Sequence, residues 1–182
     1  MRRVSSRFEA IDEDTAYDGG FFTVSRARFR HEDGEEVQRA IVRHTGAVGI
    51  VVLDGEQLWL VRQPREAIGS PDLLELPAGK LDEEGEAPLE TAKRELAEEI
   101  GKQASGWEPL GSFYTSPGFT DEEVHLFLAT GISDVDERPA VDHDERIDVE
   151  VRPLADLDAI LAETKDSKTL IGLCRLRERL SG

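Results

Sequence analysis

The sequence predicts an α+β fold in which helices pack on a β-sheet. Three observations support this prediction: apolar runs of strand length recur along the chain, one amphipathic helical segment interrupts them near the middle, and two further helical segments follow near the end. With 182 residues, of which 38% are hydrophobic, the chain can bury a core. We expect residues 1–45 to form a β-sheet extension and residues 46–182 to form the main domain.

The predicted elements follow in the order sheet, helix, sheet and two helices. The dipeptide DG at 33–34 lies between two alternating segments, so the first 45 residues predict a small antiparallel sheet. The apolar run AVGIVVL and the segment EQLWLVRQ predict a second hairpin around DG at 54–55. Pro88 and Gly101 mark the first turn and the C-terminal cap of the central helix. Later strands are expected at WEPLGSFYTS, EVHLFLATGI and IDVEVRPL, and helices at LADLDAILAE and TLIGLCRLRERL.

The composition argues against several classes of function. The formal net charge is −17, from 39 Asp and Glu against 22 Lys and Arg, whereas binding to nucleic acids depends on basic patches. Anionic membrane surfaces are disfavoured for the same reason, and the apolar runs are too short to span a bilayer. The N-terminal segment lacks the apolar stretch of a signal peptide. We therefore expect a cytoplasmic protein that binds neither nucleic acid nor membranes.

Three glutamates stand close together on the predicted central helix. Glu95, Glu98 and Glu99 are spaced i, i+3 and i+4, and like charges at these spacings destabilise a helix by about 0.2–0.5 kcal/mol per pair. A hard divalent ion such as Mg²⁺ binds converging carboxylates and would offset this repulsion. The alternative is a solvated acidic face that is neutralised by Lys93 and Arg94.

The stretch from Gly79 to Gly101 resembles the signature of the Nudix hydrolases. That signature has a glycine, an acidic loop, a glutamate and, after seven residues, the run Arg-Glu-aliphatic-x-Glu-Glu-x-Gly. The matching positions are Gly79, Glu86, Arg94, Glu95, Leu96, Glu98, Glu99 and Gly101. Two positions depart from it. Six residues separate Gly79 from Glu86, one more than the family usually has, and Lys102 stands where the family has an aliphatic residue.

The resemblance implies the mixed α/β/α sandwich of the Nudix fold and a hydrolase that depends on Mg²⁺ or Mn²⁺. The implied metal ligands are Glu95, Glu98, Glu99 and the carbonyl of Ala78. Of these residues, Glu98 and Glu99 would also take part in catalysis. Gly79, Glu86 and Arg94 would support the site, with an ion pair between Glu86 and Arg94.

Segments on both sides of the signature resemble the ADP-ribose diphosphatase branch of the family. They are LVRQPREAIGSPDLLELPAG and SPGFTDEEVHLFLA, and the similar segments together cover about residues 46–152. The resemblance implies hydrolysis of ADP-ribose to AMP and ribose 5-phosphate. The implied substrate-binding residues are Arg65, Glu75, Pro117, Phe119 and Arg39. Three alternatives stay open: another nucleoside diphosphate sugar, a dinucleotide such as NADH, or a regulator that binds ADP-ribose without hydrolysing it.

The resemblance also implies a catalytic base on a late acidic loop, where Glu145 is the best match. The competing candidates are Asp142, Asp144, His143 and His125, the histidines because they titrate near neutral pH. In this branch, N-terminal strands are exchanged between two subunits, so the resemblance implies a homodimer. The candidates to reach the substrate of the partner subunit are Arg26, Arg28, Arg39 and Arg43.

Overall fold

The computed structural model describes residues 7–137 and 146–182. The described residues form two compact units. The N-terminal unit contains those of Met1–Gly46 together with Tyr114–Glu123, and the main unit contains those of Ala47–Phe113 together with Val124–Gly182. Among the described residues, no helix has the length and apolar character needed to cross a membrane.

The N-terminal unit is built on a three-stranded antiparallel sheet. Its strands are β1 (Phe8–Asp18), β2 (Phe22–His31) and β3 (Glu36–His44), with β2 in the centre. Gly34 adopts a φ of 86° in the turn between β2 and β3, a conformation that glycine reaches without steric cost. This turn is the hairpin that the sequence predicts.

The main unit contains a seven-stranded mixed sheet. Its strands are β4 (Ala47–Asp54), β5 (Gln57–Arg65), β6 (Ser70–Glu75), β7 (Ala78–Lys80), β8 (Lys102–Tyr114), β9 (Glu123–Asp134) and β10 (Asp148–Pro153). The order is β10-β5-β4-β9-β8, with β6 paired to β5 and β7 paired to β4. Strand β4 runs parallel to β9 and antiparallel to β5 and β7, which makes the sheet mixed.

Helices cover both faces of the main sheet. The described residues contain α1 (Pro88–Ile100), α2 (Leu157–Glu163) and α3 (Ser167–Ser181). One apolar cluster joins Ala92, Leu96 and Ile100 of α1 to Val48, Ile50 and Val52 of β4. A second cluster joins Ile160 of α2 and Leu173 and Leu176 of α3 to Val51 of β4 and Leu126 of β9. Because successive residues of β4 alternate between the two clusters, the sheet lies between two helical layers. The predicted α+β sandwich is confirmed.

Helix α1 has the boundaries that its sequence predicts. It begins at Pro88, where a missing N–H costs nothing, and it ends at Ile100. Gly101 follows in the left-handed conformation, with a φ of 68°, and its N–H bonds to the carbonyls of Ala97 and Leu96. These two caps fix the register of the helix and therefore the direction in which its glutamates point.

Candidate active site

Two of the three clustered glutamates of α1 lie inside the protein. Glu95 is 9% exposed and Glu99 is 2% exposed, whereas Glu98 is partly buried. Removing a carboxylate from water is costly unless it is paired and hydrogen-bonded. The partners of these glutamates therefore define what the site can bind.

Arg94 is a shared cation for the carboxylates around α1. Its Nη1 lies 2.9 Å from Oε1 of Glu95 and 3.0 Å from Oε2 of Glu98, and its Nη2 lies 3.2 Å from Oε2 of Glu86. Hydrogen bonds from Thr91 and Arg94 hold the pKa of Glu86 below its ordinary value. Glu86 therefore stays ionised near neutral pH and ties the loop before α1 to the helix. Its role in supporting a metal site stays a prediction.

The chain before α1 approaches the helix closely at Ala78 and Gly79. The N–H of Ala78 donates a hydrogen bond of 2.9 Å to Oε2 of Glu99. A Cβ built on Gly79 would overlap the side chain of Glu95, so a larger residue at this position would displace that side chain. Strand β7 holds both residues against β4, where Gly79 pairs with Val48. The loop and the helix therefore face each other across two buried carboxylates.

The chemistry of this donor set fits a hard divalent cation. Such ions prefer oxygen ligands, and Glu95, Glu98 and Glu99 offer carboxylates from adjacent turns of one helix. In residues 7–137 and 146–182, no three His, Cys, Asp or Glu side chains converge closely enough to hold an ion. Arg94 contacts both Glu95 and Glu98 instead. Arg94 contacts one oxygen of each carboxylate, so an ion shared by the two would bind their other oxygens or displace Arg94. The metal-ligand roles stay a prediction.

A second charged cluster is centred on Glu75, at the end of β6. Glu75 is fully buried, and Arg65 binds both of its carboxylate oxygens, from Nε to Oε1 at 2.6 Å and from Nη2 to Oε2 at 2.7 Å. Lys168 at the start of α3 also bonds to Oε2. Burial alone would raise the pKa of Glu75, but the hydrogen bond from Arg65 and the charge of Lys168 outweigh it, and the pKa lies below its ordinary value. Glu75 is therefore ionised.

The cluster around Glu75 interacts electrostatically with Glu99 of α1. The hydrogen bond to Glu75 is the main cause that raises the pKa of Arg65, and the charges of Asp166 and Glu99 add to it. The charge of Arg65 therefore interacts with that of Glu99, a carboxylate that is predicted to bind metal. The sequence identified Arg65 and Glu75 but missed Lys168. A buried glutamate predicts a cationic partner, but no local signal says which of the distant lysines or arginines it is.

A cavity of about 310 Å³ lies within the N-terminal unit. Three predicted substrate-binding residues, Arg39, Pro117 and Phe119, line it together with the aromatic rings of Phe8 and Phe29. The cavity thus combines aromatic surfaces with a guanidinium group, which suits stacking on a flat ring. The structure brings these three predicted residues together, while their role in binding stays a prediction.

The candidate arginines of the N-terminal sheet differ in how strongly they are held. Arg43 pairs with Glu13 and, at 3.0 Å, with Asp121. Arg28 pairs with Asp12. Arg39 donates a hydrogen bond of 3.0 Å to the carbonyl of Gln38, its neighbour in sequence. Arg39 is therefore the least constrained of these three guanidinium groups.

The predicted catalytic base, Glu145, lies outside the described residues, and so do its alternatives Asp142, His143 and Asp144. The other alternative, His125, is partly buried on β9, where it pairs with Val48 of β4. The identity of the base therefore stays a prediction.

Comparison with known proteins places the chain in a family. The model of the NUDIX domain matches residues 43–172, and the chain belongs to the Nudix family. It is a hydrolase of that family, as the sequence predicts, and such hydrolases generally use divalent metal ions.

Three curated relatives match most of the chain, and two of them are ADP-ribose pyrophosphatases. The chain is 45% identical over 139 residues to an ADP-ribose pyrophosphatase of Mycobacterium tuberculosis, covering 76% of this chain and 66% of the relative, just under two thirds of its length. It is 40% identical over 153 residues to an ADP-ribose pyrophosphatase of Bacillus subtilis, covering 81% and 82%. It is also 40% identical over 144 residues to a methanol dehydrogenase activator of Bacillus methanolicus, covering 78% and 77%.

A solved structure supports the fold over nearly the whole chain. The crystal structure of an ADP compounds hydrolase aligns with a TM-score of 0.82 and 25% identity, covering 97% of this chain and 95% of that one. The predicted Nudix fold with an antiparallel N-terminal sheet is confirmed.

Proposed function

We propose that the protein hydrolyses ADP-ribose to AMP and ribose 5-phosphate in a reaction that depends on Mg²⁺, with Mn²⁺ as a substitute. The observation that carries this proposal is the cluster of carboxylates on α1, together with Arg65, which a buried glutamate holds in place and whose pKa the charge of Glu99 helps to raise. The similarity to ADP-ribose pyrophosphatases supports the choice of substrate.

In this proposal Glu95, Glu98, Glu99 and the carbonyl of Ala78 hold the ion. When bound, the ion neutralises the diphosphate, polarises the attacked phosphorus and makes hydroxide accessible near neutral pH. Water adds to one phosphorus, the bridging P–O bond breaks, and each phosphate leaves with one product. Glu145 would accept the proton of the attacking water, because an ionised carboxylate can serve as a general base. Glu98 and Glu99 assist by orienting that water.

Arg65 is suited to bind the substrate because part of its guanidinium group is not used. Its Nε and Nη2 bind Glu75, whereas its Nη1 has no hydrogen-bond partner in the part of the chain that the structure describes. The side chain is 44% exposed, so this edge can pair with a phosphate or stack on a base. Glu75 would then act mainly by fixing the arginine.

The N-terminal unit is proposed to complete the site as part of a homodimer with exchanged strands. Arg39, Pro117 and Phe119 would contact the nucleoside or the sugar of the substrate from their shared cavity. Exposed aromatic side chains of this unit, Phe8, Tyr17, Phe21 and Phe119, support an interface because single domains rarely leave so many uncovered. The cytoplasmic location stays a prediction from the sequence.

Product analysis tests the choice of substrate. The purified protein is incubated with Mg²⁺ and, in separate reactions, ADP-ribose, NADH, ADP-glucose and ATP. We expect AMP and ribose 5-phosphate to form fastest from ADP-ribose. A higher kcat/KM for another compound would replace ADP-ribose as the substrate. Tight binding of ADP-ribose without hydrolysis of any compound would indicate a regulator instead.

A further inference from the structure

Lys168 occupies an unusual position at the start of α3. Its side chain is 12% exposed, and its ammonium group bonds to Oε2 of Glu75 and lies 3.2 Å from Oδ2 of Asp166. Glu75 also receives two hydrogen bonds from Arg65, so both Arg65 and Lys168 contact its carboxylate. Lys168 therefore bridges the buried carboxylate of Glu75 and the carboxylate of Asp166.

The lysine is held by a rigid junction between α3 and the chain that leads to α1. Asp166 caps α3 by accepting hydrogen bonds of 2.9 Å from the N–H and 2.6 Å from the hydroxyl of Thr169. The same hydroxyl accepts a hydrogen bond of 2.8 Å from the N–H of Leu76, the residue after Glu75. Thr164 adds a hydrogen bond of 2.7 Å to the carbonyl of Leu74. Lys168 and Glu75 therefore stand in a fixed relation to each other.

The charges of this junction balance, so Lys168 supplies position and not an excess of charge. Arg65 and Lys168 carry one positive charge each, and Glu75 and Asp166 carry one negative charge each. Without Lys168, Asp166 would keep its hydrogen bonds from Thr169, but the carboxylate of Glu75 would lose its link to α3. Arg65 would then bind a carboxylate that is less firmly held.

We propose that Lys168 is a positioning residue for the substrate. Acting through Glu75, it fixes the guanidinium group of Arg65 and keeps its Nη1 edge available to an anionic group of the diphosphate substrate. This inference rests on the proposed function, because it requires Arg65 to bind that group. A merely structural lysine would stabilise the fold but would leave the KM of the folded enzyme unchanged.

The test compares the kinetics of Lys168→Met with those of Lys165→Met, an exposed lysine three residues earlier in the chain. Since ground-state and transition-state binding are both weakened, we expect Lys168→Met to raise KM by about 10-fold and to change kcat by less than about 3-fold. Lys168→Arg keeps the charge and should return KM to within about 3-fold of the wild type. Lys165→Met should match the wild type. A normal KM in Lys168→Met together with a lower melting temperature would overturn the proposal.

Two further variants keep the test decisive. In an Arg65→Gln background, Lys168→Met should cause no additional rise in KM, because residues that act through one another are not additive. An equal rise in both backgrounds would contradict action through Arg65. If Lys168→Met does not fold, Glu75→Gln/Lys168→Met removes the buried charge together with its partner, and it should also raise KM. A normal KM in that double variant would overturn the proposal.

The test of Lys168 gives a result even if the proposed function is wrong. The variants are assayed with whichever diphosphate the wild type hydrolyses fastest, so a different substrate does not affect the comparison. If the wild type hydrolyses none, the proposed function fails, and calorimetric binding of ADP-ribose replaces KM. Weaker binding by Lys168→Met than by Lys165→Met would then support the positioning role, and equal binding would overturn it.

Discussion

The contact between Gly79 and Glu95 makes the proposed metal site sensitive to a single methyl group. In Gly79→Ala the added Cβ would overlap the carboxyl group of Glu95, which is the flexible end of its side chain and can rotate away. We therefore expect Mn²⁺ affinity to fall by at least about 10-fold, while the melting temperature changes little. Electron paramagnetic resonance of bound Mn²⁺ and a thermal melt check this prediction. A large loss of stability with normal Mn²⁺ affinity would contradict it.

Glu98 offers the cleanest substitution among the clustered glutamates because it is the least buried of them. Glu98→Gln keeps the size of the side chain, and Arg94 keeps its contacts with Glu95 and Glu86. We expect Mg²⁺-dependent turnover to fall by at least about 100-fold and the melting temperature to stay unchanged. Loss of a residue that only supports a metal ligand costs about 10- to 100-fold, and loss of a ligand itself should cost more.

The matched control for Glu98→Gln is Glu90→Gln on the same helix. Glu90 is exposed and pairs with Lys93 at 2.8 Å, so its substitution should leave turnover unchanged. Both variants are compared by initial rates at saturating Mg²⁺. Near-normal turnover in Glu98→Gln would mean that the metal binds elsewhere.

The ion pairs that link the strands of the N-terminal sheet should respond to acid. A hydrogen bond from Arg43 is the main cause that lowers the pKa of Glu13 from 4.5 to about 2. Because the pKa is lower in the folded state, this pair stabilises the fold above about pH 4.5 and loses that contribution as the pH falls toward 2. We expect Glu13→Gln to be less stable than the wild type at pH 6, with the difference shrinking toward pH 2. Urea unfolding measures this difference, and a pH-independent value would refute the assignment.

The helices and hairpins show how much of the fold local sequence determines. The bounds of α1 follow from Pro88 and Gly101, and the hairpin between β2 and β3 follows from Asp33-Gly34, because each signal lies in the turn or cap that it specifies. The glutamate spacing on α1 likewise predicts which carboxylates lie together. All these features depend on residues within a few positions of each other.

Features that depend on distant residues could not be predicted from the sequence. The parallel pairing of β4 with β9 joins residues more than 70 positions apart, and the pairing of Lys168 with Glu75 spans 93 positions. Arg94 forms ion pairs with Glu95 and Glu98, which are close to it in sequence. The geometry of these pairs depends on side-chain rotamers, which sequence patterns do not specify. Family resemblance supplied the substrate-binding residues, since no pattern within this chain identifies them.

The association of two chains determines how a complete active site would form. We expect light scattering to give twice the 20.2 kDa of one chain. If the strands are exchanged, refolding Glu98→Gln chains together with Arg39→Ala chains should restore about a quarter of wild-type activity. About half of the dimers would then contain one chain of each kind, and one of the two sites in each such dimer would be intact. Each variant refolded alone serves as the control. No recovery of activity would mean that each site is formed within one chain.

The charge of the whole molecule makes a cation necessary for the proposed reaction. A chain with a formal net charge of −17 repels a diphosphate unless positive charge is supplied at the site. The most direct test measures AMP formation from ADP-ribose as Mg²⁺ is titrated from an EDTA-treated enzyme. We expect no turnover in EDTA and a saturable rise with Mg²⁺. Undiminished turnover in EDTA would contradict it.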